Sequence, residues 1–558
     1  MRSKEPWILG ISASHNGAVC LLKGDEIVVA VQEERLSRVK RHRIYGAQPS
    51  LAITYCLSYA GIEPSDLSLV VLCLQGRARD KIHHLARNPQ LHIRAHDIPT
   101  LVIPHHCGHA FSAFATSGFA EAAILVVDGA GSPVDDFTPD ELAVLNRSFE
   151  DGWETASIYR GDGVSVTALH KHVVEHGRWL GLRDSGMYSF GSLGGMYSAV
   201  AQQIFGDPME AGKVMGLAPY GKPCISANTF FEIEDDEFKY QNNVPAKFQH
   251  DERWPARAAE YEMLAASVQA ALERALIHLV GRARDLCPSD NLCYAGGVAL
   301  NSVANERIIR ECGFKNVYIM PPAEDSGPAI GAAYYGLWRL TGQNTQRRMV
   351  RDACGRKYEP SSISASLADK RLRQEFPPDI VAGTVDLLCE GKIVGWFEGR
   401  SELGPRALGQ RSILCDPRSS NAKEILNARV KMREAFRPFA PAVLEEEAPR
   451  WFQLDGAPVA SPFMLRVCKL EPAKAAAVPA ITHVDGTGRL QTVSRQANGS
   501  FYDLIKAFYD RTRVPMLLNT SFNVMGEPIV ETPDDAIACL MKTQLDCCVF
   551  EDRIVWKS

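Results

Sequence analysis

The chain has 558 residues, of which 46% are hydrophobic and 23% charged, and its formal net charge is −5 at pH 7. This length suggests two large domains or three to four smaller ones, and the composition excludes a disordered or fibrous chain. The small negative charge gives no general attraction to nucleic acid or to an anionic membrane. No stretch comes near the roughly 20 apolar residues needed to cross a bilayer, and residues 1–14 do not have the pattern of a signal peptide. The 15 cysteines form no CxxC pair, which fits a reducing cytosol.

A strand followed by a hairpin occurs twice in the first third of the chain. Trp7–Ala13 is predicted to be a strand, and residues 18–32 alternate around the turn Gly24-Asp25, as in a hairpin. Residues 122–127 predict a second strand, and residues 155–159 and 164–169 predict a second hairpin. The repetition favours an internally duplicated α/β domain of the kind found in actin-like and sugar-kinase-like ATPases. Two unrelated hairpins are the alternative.

Two histidines spaced by one helical turn lie between these repeats. If a helix has begun by His105, then His105 and His109 share one face and can hold a single metal ion. Asp128, at the end of the following strand, would add an oxygen ligand. Two imidazoles with carboxylates suit Fe(II), Mn(II) or Zn(II) better than Mg(II), which prefers oxygen ligands. The spacing alone is equally compatible with histidines that only pack in a helix.

Two glycine-rich segments farther along the chain are typical of nucleotide-binding loops. Residues 292–295 predict a short strand that ends at Gly296-Gly297, and a helical segment opens near Asn301. That order would bring backbone N–H groups and a helix N-terminus close to a phosphate or an adenosine. A second predicted strand, residues 316–320, leads to Asp325, a further candidate metal ligand. A tight turn without a ligand is the alternative for each segment.

A change in composition near residues 341–358 predicts a boundary between one domain over residues 1–345 and another over residues 346–558. Beyond it lies a basic segment, residues 400–437, with nine Lys or Arg residues against four acids. The arginines alternate with Gly, Pro, Phe and Leu, which favours a pocket for a small phosphorylated substrate over a solvated surface. A helical run in this segment is predicted to carry Asn427, Lys431 and Arg433. Arg489, and Asn519 at a later strand end, could complete a polar pocket.

The sequence resembles the NodU/TobZ family of O-carbamoyltransferases over nearly its whole length. The matching segments, in the family's order, are HNGAVCLLKGDEIVVAVQEERLSRVK, HHCGHAFSAF, VVDGAG, GKVMGLAPYG, GGVALN, EDSGPAIGAA, GPRALGQRSIL, NARVKMREAFRPFAPAV, HVDGTGRLQTV and LLNTSFN. The resemblance implies an α/β fold in two domains. The N-terminal domain would be a duplicated actin-like, ribonuclease-H-like domain related to TsaD, and the C-terminal domain would be a YrdC-like α/β domain.

The resemblance also assigns candidate roles to individual residues, in three groups. The residues that match the family's metal ligands, with iron as the usual metal, are His105, His109, Asp128 and Asp325. The residues that would hold the adenylate are Lys213, Gly296, Gly297 and Asn301. The residues that match the cations binding carbamoyl phosphate are Arg406, Lys431, Arg437 and Arg489.

The chemistry that the resemblance implies runs in two stages. The C-terminal domain cleaves carbamoyl phosphate and joins the carbamate to AMP from ATP, for which Mg(II) is an expected companion, and releases pyrophosphate. The N-terminal domain passes the carbamoyl group to a hydroxyl of a sugar or natural product, as in antibiotic biosynthesis. Keeping the labile intermediate between joined domains protects it from water. His15, after the first strand, is the candidate base, although a contact to the nucleotide or to a turn is an equal alternative.

Other function classes explain less of the sequence. A small-molecule kinase of the actin-like superfamily would account for the duplicated domain but not for the basic C-terminal domain. A non-catalytic regulator that binds ATP and metal would bind ATP without producing AMP. We expect a cytoplasmic enzyme with no nucleic-acid or membrane partner, and a homodimer is left open. The acid-rich segment 132–153 is expected to be either a surface loop or a lid over the acceptor pocket.

Overall fold

The computed structural model describes residues 5–45, 47–75, 85–163, 165–175, 191–241, 244–343, 345, 347–368 and 370–557. The chain divides into two compact units. The first unit contains the residues up to Glu33 and residues 43–349, and the second contains residues 34–42 and the residues from Val350 onward. Residue 346, where the predicted second domain begins, and Val164, in the predicted second hairpin, lie outside the described residues.

The first unit contains twelve strands within the described ranges. In chain order they are β1 (Trp7–Ala13), β2 (Ala18–Lys23), β3 (Glu26–Gln32), β4 (Leu67–Leu74), β5 (Thr100–Pro104), β6 (Ala122–Val127), β7 (Gly152–Gly161), β8 (Val166–Glu175), β9 (Phe231–Glu234), β10 (Glu237–Tyr240), β11 (Asn291–Ala295) and β12 (Asn316–Ile319). The second hairpin, β7 and β8, is longer at both ends than the sequence predicts. β9 and β10 pair only with each other.

The remaining ten strands form two five-stranded sheets with the same topology. One has the order β3-β2-β1-β4-β5 and the other has the order β8-β7-β6-β11-β12. In each sheet the first three strands of this order pair antiparallel with one another, and the last two run parallel to the third. All six residues of β6 are buried, as expected for a strand at the centre of a sheet that is covered on both faces. The predicted internal duplication is therefore confirmed.

Within the described ranges, the helices up to residue 341 include α1 (Glu33–Ser37), α2 (Leu51–Ala60), α3 (His105–Ala115), α4 (Pro139–Ala143), α5 (Leu193–Phe205), α6 (Ala211–Leu217), α7 (Ala258–Leu286), α8 (Ser302–Glu311) and α9 (Gly327–Thr341). Helices α3 and α9 pack directly against each other. A Cβ atom on Gly331 would lie 1.8 Å from the carbonyl oxygen of Gly108, so this crossing requires glycine. The close approach brings the residues just before α9 to the first turns of α3.

Helix α7 is long and apolar enough, by length and composition, to cross a membrane. The expectation that no stretch comes near this length is therefore wrong for α7, because its many alanines raise the mean hydropathy between the charged residues. However, 67% of the apolar window is buried inside the protein, in the way of a core helix. Leu264, Leu272 and Leu276 are among its buried side chains.

The second unit is built on a mixed sheet of nine strands, in the order β14-β23-β22-β15-β17-β21-β18-β20-β19, beside a separate pair, β13-β16. The strands are β13 (Ala353–Lys357), β14 (Arg373–Glu375), β15 (Val394–Phe397), β16 (Arg400–Glu402), β17 (Arg411–Cys415), β18 (Ala440–Leu444), β19 (Arg466–Lys469), β20 (Thr487–Val493), β21 (Met516–Ser521), β22 (Cys547–Phe550) and β23 (Arg553–Trp556). The helices are α10 (Pro360–Leu367), α11 (Ile380–Cys389), α12 (Ala422–Ile425), α13 (Pro472–Ala475), α14 (Gly499–Thr512) and α15 (Pro533–Lys542). α11, α14 and α15 pack on the fully buried strands β15 and β18.

The helical run predicted in the basic segment is shorter than expected. Helix α12 continues as one π-helical turn over residues 426–431 and ends at Met432, whose φ of 47° is left-handed. Arg433 therefore lies outside the helix, which corrects the prediction for that residue. Just after Met432, the guanidinium of Arg433 stacks over the ring of Phe439, the residue before β18.

Residues 34–42 are held to the second unit by two arginines that donate to backbone carbonyl groups. Arg35 Nη2 lies 2.6 Å from the oxygen of Gly404. Arg38 donates to the oxygens of Pro528 and Ile529, each at 2.8 Å. Residues 34–42 thus belong to the second unit, and the chain returns to the first unit at residue 43.

Candidate functional site

Four buried side chains of the first unit place ligand atoms around one point. Nε2 of His105 lies 3.1 Å from Oδ2 of Asp128 and 3.3 Å from Oδ1 of Asp325. Nε2 of His109 lies 3.4 Å from Oδ2 of Asp128 and 3.2 Å from Nε2 of His105. One ligand atom from each of the four residues lies within 4.8 Å of all the others. Two imidazole nitrogens and two carboxylate oxygens at this spacing can hold one divalent ion.

The electrostatics of this cluster favour a cation. Burial opposes charge on His105, but the carboxylates of Asp325 and Asp128 outweigh it and raise the pKa of His105 well above its ordinary value. Burial opposes charge on both carboxyl groups, and the charge of Asp325 also opposes it on Asp128, yet contacts to the histidines lower the pKa values of Asp128 and Asp325. Two buried carboxylates thus keep their charge. A bound divalent ion would neutralise them without requiring protonated histidines.

Helix α3 presents His105 and His109 to the cluster although its own N-cap residue, Pro104, provides no capping side chain. The N–H of His105 donates to Oγ of Ser132 at 2.9 Å, and the N–H of His106 donates to Oε1 of Glu154 at 3.0 Å. Two buried helix-end donors are thereby satisfied from elsewhere in the chain. Ser132 and Glu154 fix where the helix begins, and so fix the position of both histidines.

Glu154 belongs to a buried ionic network that the sequence analysis missed. Nζ of Lys171 lies 2.5 Å from Oε2 of Glu154 and 2.7 Å from Oε1 of Glu141. Tyr159 joins them, accepting from Lys171 and donating to Glu141, each at 2.7 Å. Burial disfavours charge on Lys171, but the two glutamates outweigh it and raise its pKa. Glu141 anchors part of the 132–153 segment, so this segment is not simply a surface loop.

Asp325 contacts the histidines of the cluster through Oδ1 and faces His15 with its other oxygen, Oδ2. Nδ1 of His15 lies 3.1 Å from Oδ2 of Asp325, and the His15 side chain is 21% exposed. Glu324 accepts hydrogen bonds from Gln32 and from the N–H and hydroxyl of Ser326, which fixes the turn that carries Asp325. His15 is therefore in contact with the cluster and partly exposed.

The predicted adenylate residues take two kinds of position. Gly296 has a φ of 94°, and a Cβ there would lie 2.1 Å from the carbonyl oxygen of Val127, so this turn requires glycine. The N–H of Gly297 donates to Oδ1 of Asp128 at 3.3 Å, which links the glycine turn to the metal-ligand cluster. Asn301 caps α8 and pairs with Gln269, so its side chain is engaged within the fold. Lys213 lies on α6, 3.6 Å from Glu210.

Four partly buried arginines of the second unit form a group of like charges, named the arginine group below. Its members are Arg406, Arg433, Arg437 and Arg489. Burial, followed by the charge of Arg437, lowers the pKa of Arg406 to about 10 and that of Arg433 to about 9. Burial and the charges of the other three arginines lower the pKa of Arg489 well below its usual range. The Nε atoms of Arg406 and Arg489 have no hydrogen-bond partner among the described residues. Such a group is stabilised by a bound anion.

Lys431 and Asn519, two further predicted site residues, support the neighbouring backbone. Nζ of Lys431 donates to Oδ1 of Asn523 at 2.7 Å and to Oγ of Ser521 at 3.1 Å. Nδ2 of Asn519 donates to the carbonyl oxygen of Ala407 at 3.1 Å, next to Arg406. Oδ1 of Asn519 is buried without a hydrogen-bond partner in the described part of the chain. Arg433 joins the arginine group although the sequence analysis did not include it among the site residues; its spacing from Arg437 was the available signal.

Comparison with known proteins matches both units to one family. Residues 7–81 and 74–334 match the family model described as the carbamoyltransferase N-terminus, and residues 385–557 match the carbamoyltransferase C-terminus. An uncharacterised protein of Synechocystis is 34% identical over 99% of this chain and 97% of its own length. The nodulation protein NolNO of Sinorhizobium fredii is 33% identical over 97% of this chain and 79% of its own.

Nodulation protein NolO of Bradyrhizobium diazoefficiens is 36% identical over 81% of this chain and 78% of its own length. Among solved structures, full-length HypF in its phosphate- and nucleotide-bound form aligns over 61% of this chain and 56% of that chain, at 15% identity and a TM-score of 0.38. The family models cover most of both units, and the relatives extend over nearly the whole chain. The resemblance inferred from the sequence motifs is therefore confirmed, and the chain is an enzyme that belongs to the carbamoyltransferase family.

Proposed function

We propose that this carbamoyltransferase uses ATP and carbamoyl phosphate to make carbamoyl-adenylate, and then transfers the carbamoyl group to a hydroxyl of a small molecule. The arginine group is the observation that carries the proposal. Four guanidinium groups close together, three of them with pKa values lowered by burial and by neighbouring arginines, are suited to a small, highly charged anion. Carbamoyl phosphate is such an anion, and the family's transfer activity needs a donor of this kind.

In the first stage the arginine group binds the phosphate of carbamoyl phosphate in the second unit. Cleavage by water releases phosphate and leaves carbamate. A carbamate oxygen then attacks the α-phosphorus of ATP, the bond to pyrophosphate breaks, and carbamoyl-adenylate forms. Lys431 supports the 521–523 turn through its bonds to Ser521 and Asn523, and so keeps the pocket in shape. We propose Mg(II) as the companion of ATP.

In the second stage the first unit receives carbamoyl-adenylate. The glycine turn at Gly296-Gly297, with Lys213, is proposed to hold the adenylate, because the turn lies beside the metal-ligand cluster, with the N–H of Gly297 3.3 Å from Oδ1 of Asp128. The acceptor hydroxyl attacks the carbamoyl carbon, AMP leaves, and His15 takes the hydroxyl proton at a ring nitrogen. Asp325, in contact with His15 Nδ1, would stabilise the resulting imidazolium.

The donor set of His105, His109, Asp128 and Asp325 fits a divalent metal, and we propose Fe(II). When bound, such an ion supplies a Lewis acid that can stabilise developing negative charge on oxygen. The four residues would hold it at the junction of α3, the end of β6 and the start of α9. All 15 cysteines are free thiols, which supports action in the cytosol. The proposed acceptor is a sugar or natural-product hydroxyl.

The test is incubation of the protein with ATP, carbamoyl phosphate and a panel of hydroxylated natural products. We expect AMP and pyrophosphate to appear only with carbamoyl phosphate, and one acceptor to gain a single carbamoyl group by mass spectrometry. ADP as the main nucleotide product would favour kinase chemistry instead. ATP binding without any AMP would favour a regulator. Arg418→Ala is the matched control for arginine changes, because Arg418 is partly exposed and paired with Asp416.

A further inference from the structure

Two segments that carry proposed metal ligands are bound by the same carboxylate oxygen. Oε1 of Glu154, on β7, accepts from the N–H of His106 at 3.0 Å and from the N–H of Ser132 at 2.9 Å. His106 lies in the first turn of α3, which carries both ligand histidines. Ser132 closes the turn that begins at Asp128, the ligand that follows β6. One side-chain oxygen therefore connects the segments that carry three of the four ligands.

The main chain of Glu154 binds the same turn. The N–H of Gly131 donates to the carbonyl oxygen of Glu154 at 2.9 Å, and the N–H of Glu154 donates to the carbonyl oxygen of Ser132 at 3.1 Å. A Cβ atom on Gly131 would lie 2.5 Å from both Cγ and Oε1 of Glu154, so the turn has no room for a side chain there unless Glu154 moves. The turn is thus packed directly on the Glu154 side chain, and a displaced carboxylate would displace the turn with it.

Lys171, on β8, holds the other oxygen of Glu154. Its Nζ lies 2.5 Å from Oε2 of Glu154, 2.7 Å from Oε1 of Glu141 and 2.7 Å from the hydroxyl of Tyr159. An ammonium group has three N–H donors, so each donor has one partner. Lys171 is only 4% exposed. A buried ammonium cannot leave such partners without losing charge-assisted hydrogen bonds, so the Glu154 carboxylate is fixed at both oxygens.

Glu141, on α4, has a similar pair of contacts but a different position. Its Oε1 contacts Lys171, and its Oε2 accepts from the N–H of Thr138 at 3.0 Å. Both glutamates are fully buried, with exposed fractions of 1% for Glu141 and 0% for Glu154. Each therefore bridges the same lysine to a backbone N–H. Within the described part of the chain, only Glu154 of the two has a hydrogen bond to α3 or to the turn after Asp128.

We propose that Glu154 is a positioning residue for the metal-ligand cluster, and that Lys171 keeps its carboxylate where α3 and the turn after Asp128 meet. The inference rests on the proposed function, because it assumes that the cluster binds a divalent ion. Glu154 and Lys171 supply no ligand atom to the cluster. They act through the segments that carry the ligands. Residues that orient metal ligands in this indirect way change metal affinity by about tenfold to a hundredfold when they are replaced.

The test uses the full-length protein with Co(II) as the probe, because the visible absorption of Co(II) reports the number and geometry of its ligands. A glutamine at position 154 has one oxygen and one NH2 group, so it cannot accept from the two N–H groups and from Lys171 at the same time. We expect Glu154→Gln to bind Co(II) about tenfold to a hundredfold more weakly than the wild type, with a changed absorption spectrum.

Glu141→Gln is the matched control, because it creates the same conflict at Lys171 without touching α3 or the turn. Its Tm should fall, as that of Glu154→Gln should, but its Co(II) affinity and spectrum should stay at the wild-type values. An equal loss of affinity in the two variants would overturn the inference, since the cause would then be a general loss of stability. Wild-type affinity in Glu154→Gln would overturn it as well.

Glu154→Asp decides the same question if Glu154→Gln does not fold. It keeps the charge opposite Lys171, but its carboxylate is one methylene shorter, so we expect weaker Co(II) binding here too, and unchanged binding would contradict the inference. A wild type that binds Co(II) no better than His105→Ala would overturn both the inference and the proposed metal site. The proposed function fails separately if the wild type binds Co(II) but releases no AMP from ATP and carbamoyl phosphate.

Discussion

Asp325 contacts His15 with one carboxylate oxygen and the metal-ligand cluster with the other. Oδ2 lies 3.1 Å from Nδ1 of His15, and Oδ1 lies 3.3 Å from Nε2 of His105. The proposed base and the proposed metal ligands therefore share one side chain. Removing Asp325 should affect both functions, whereas removing His15 should affect only the proton transfer.

His15→Gln should lower transfer from supplied carbamoyl-adenylate by about 10²- to 10⁴-fold, the usual contribution of a general base. Its metal content should stay at the wild-type value, because His15 is outside the cluster. Asp325→Ala should lose both metal and transfer. Metal analysis and acceptor carbamoylation are measured on the same preparations. Wild-type transfer by His15→Gln would show that His15 is only a contact to the nucleotide or to a turn.

His105→Ala and His109→Ala should each lose the metal and the transfer step while carbamoyl phosphate-dependent AMP release persists. The separation is expected because the histidines belong to the first unit and the arginine group to the second. His278→Ala is the control, because His278 is a partly exposed histidine of the first unit outside the cluster. If either variant retained the wild-type metal content, the two histidines would have only a packing role in helix α3.

Arg406→Ala and Arg437→Ala should each weaken carbamoyl phosphate binding by about tenfold to a hundredfold or more, since charge-assisted hydrogen bonds contribute about 1.5–3 kcal/mol each. Transfer from supplied carbamoyl-adenylate should remain nearly unchanged. Lysine at either position should restore binding only in part, because it lacks the guanidinium fork. Two rates are compared: AMP release and acceptor carbamoylation. Equal loss of both rates would contradict the division of the two stages between the two units.

Asp352→Asn should stabilise the second unit more as the pH rises. The folded pKa of Asp352 is about 8, whereas an aspartate in an unfolded chain has a pKa near about 3.9. Between these values the folded state holds a proton that the unfolded state has released. The unfolding free energy of the wild type therefore falls as pH rises through this window, by on the order of 1.4 kcal/mol per unit. Scanning calorimetry at pH 5 and pH 8 should show the larger gain in Tm at pH 8, and equal gains would contradict the assignment.

Local sequence patterns were enough to predict much of the first unit. The strand Trp7–Ala13 and the following hairpin alternate clearly, and the same pattern recurs around residues 122–169. The structure begins α3 at His105, as the histidine spacing required. These features depend on neighbours within a few residues. The grouping of Asp325 with the histidines depends on the Gly331–Gly108 contact between α3 and α9, which spacing alone does not indicate.

The features that sequence analysis missed depend on contacts between distant residues. Lys171 meets Glu141 and Glu154 because of the register of β7 and β8 and the fold of the segment before them. Each of these three residues looks like an ordinary surface charge in the sequence. The sequence predicts Arg433 on a helix, but that helix ends at Met432. The prediction was wrong because a π-helical turn and a left-handed residue have no clear signal in one sequence.

The early contribution of residues 34–42 to the second unit constrains how this enzyme can be divided or recombined. A gene fragment that starts at Val350 would encode a half-enzyme without Arg35 and Arg38, and thus without their bonds to Gly404, Pro528 and Ile529. Gly404 lies two residues before Arg406, so the missing support would fall beside the arginine group. The two units therefore cannot be separated by cutting the chain at a single linker. Chimeras with other carbamoyltransferases need two crossover pairs, one around residues 34–42 and one near residue 350.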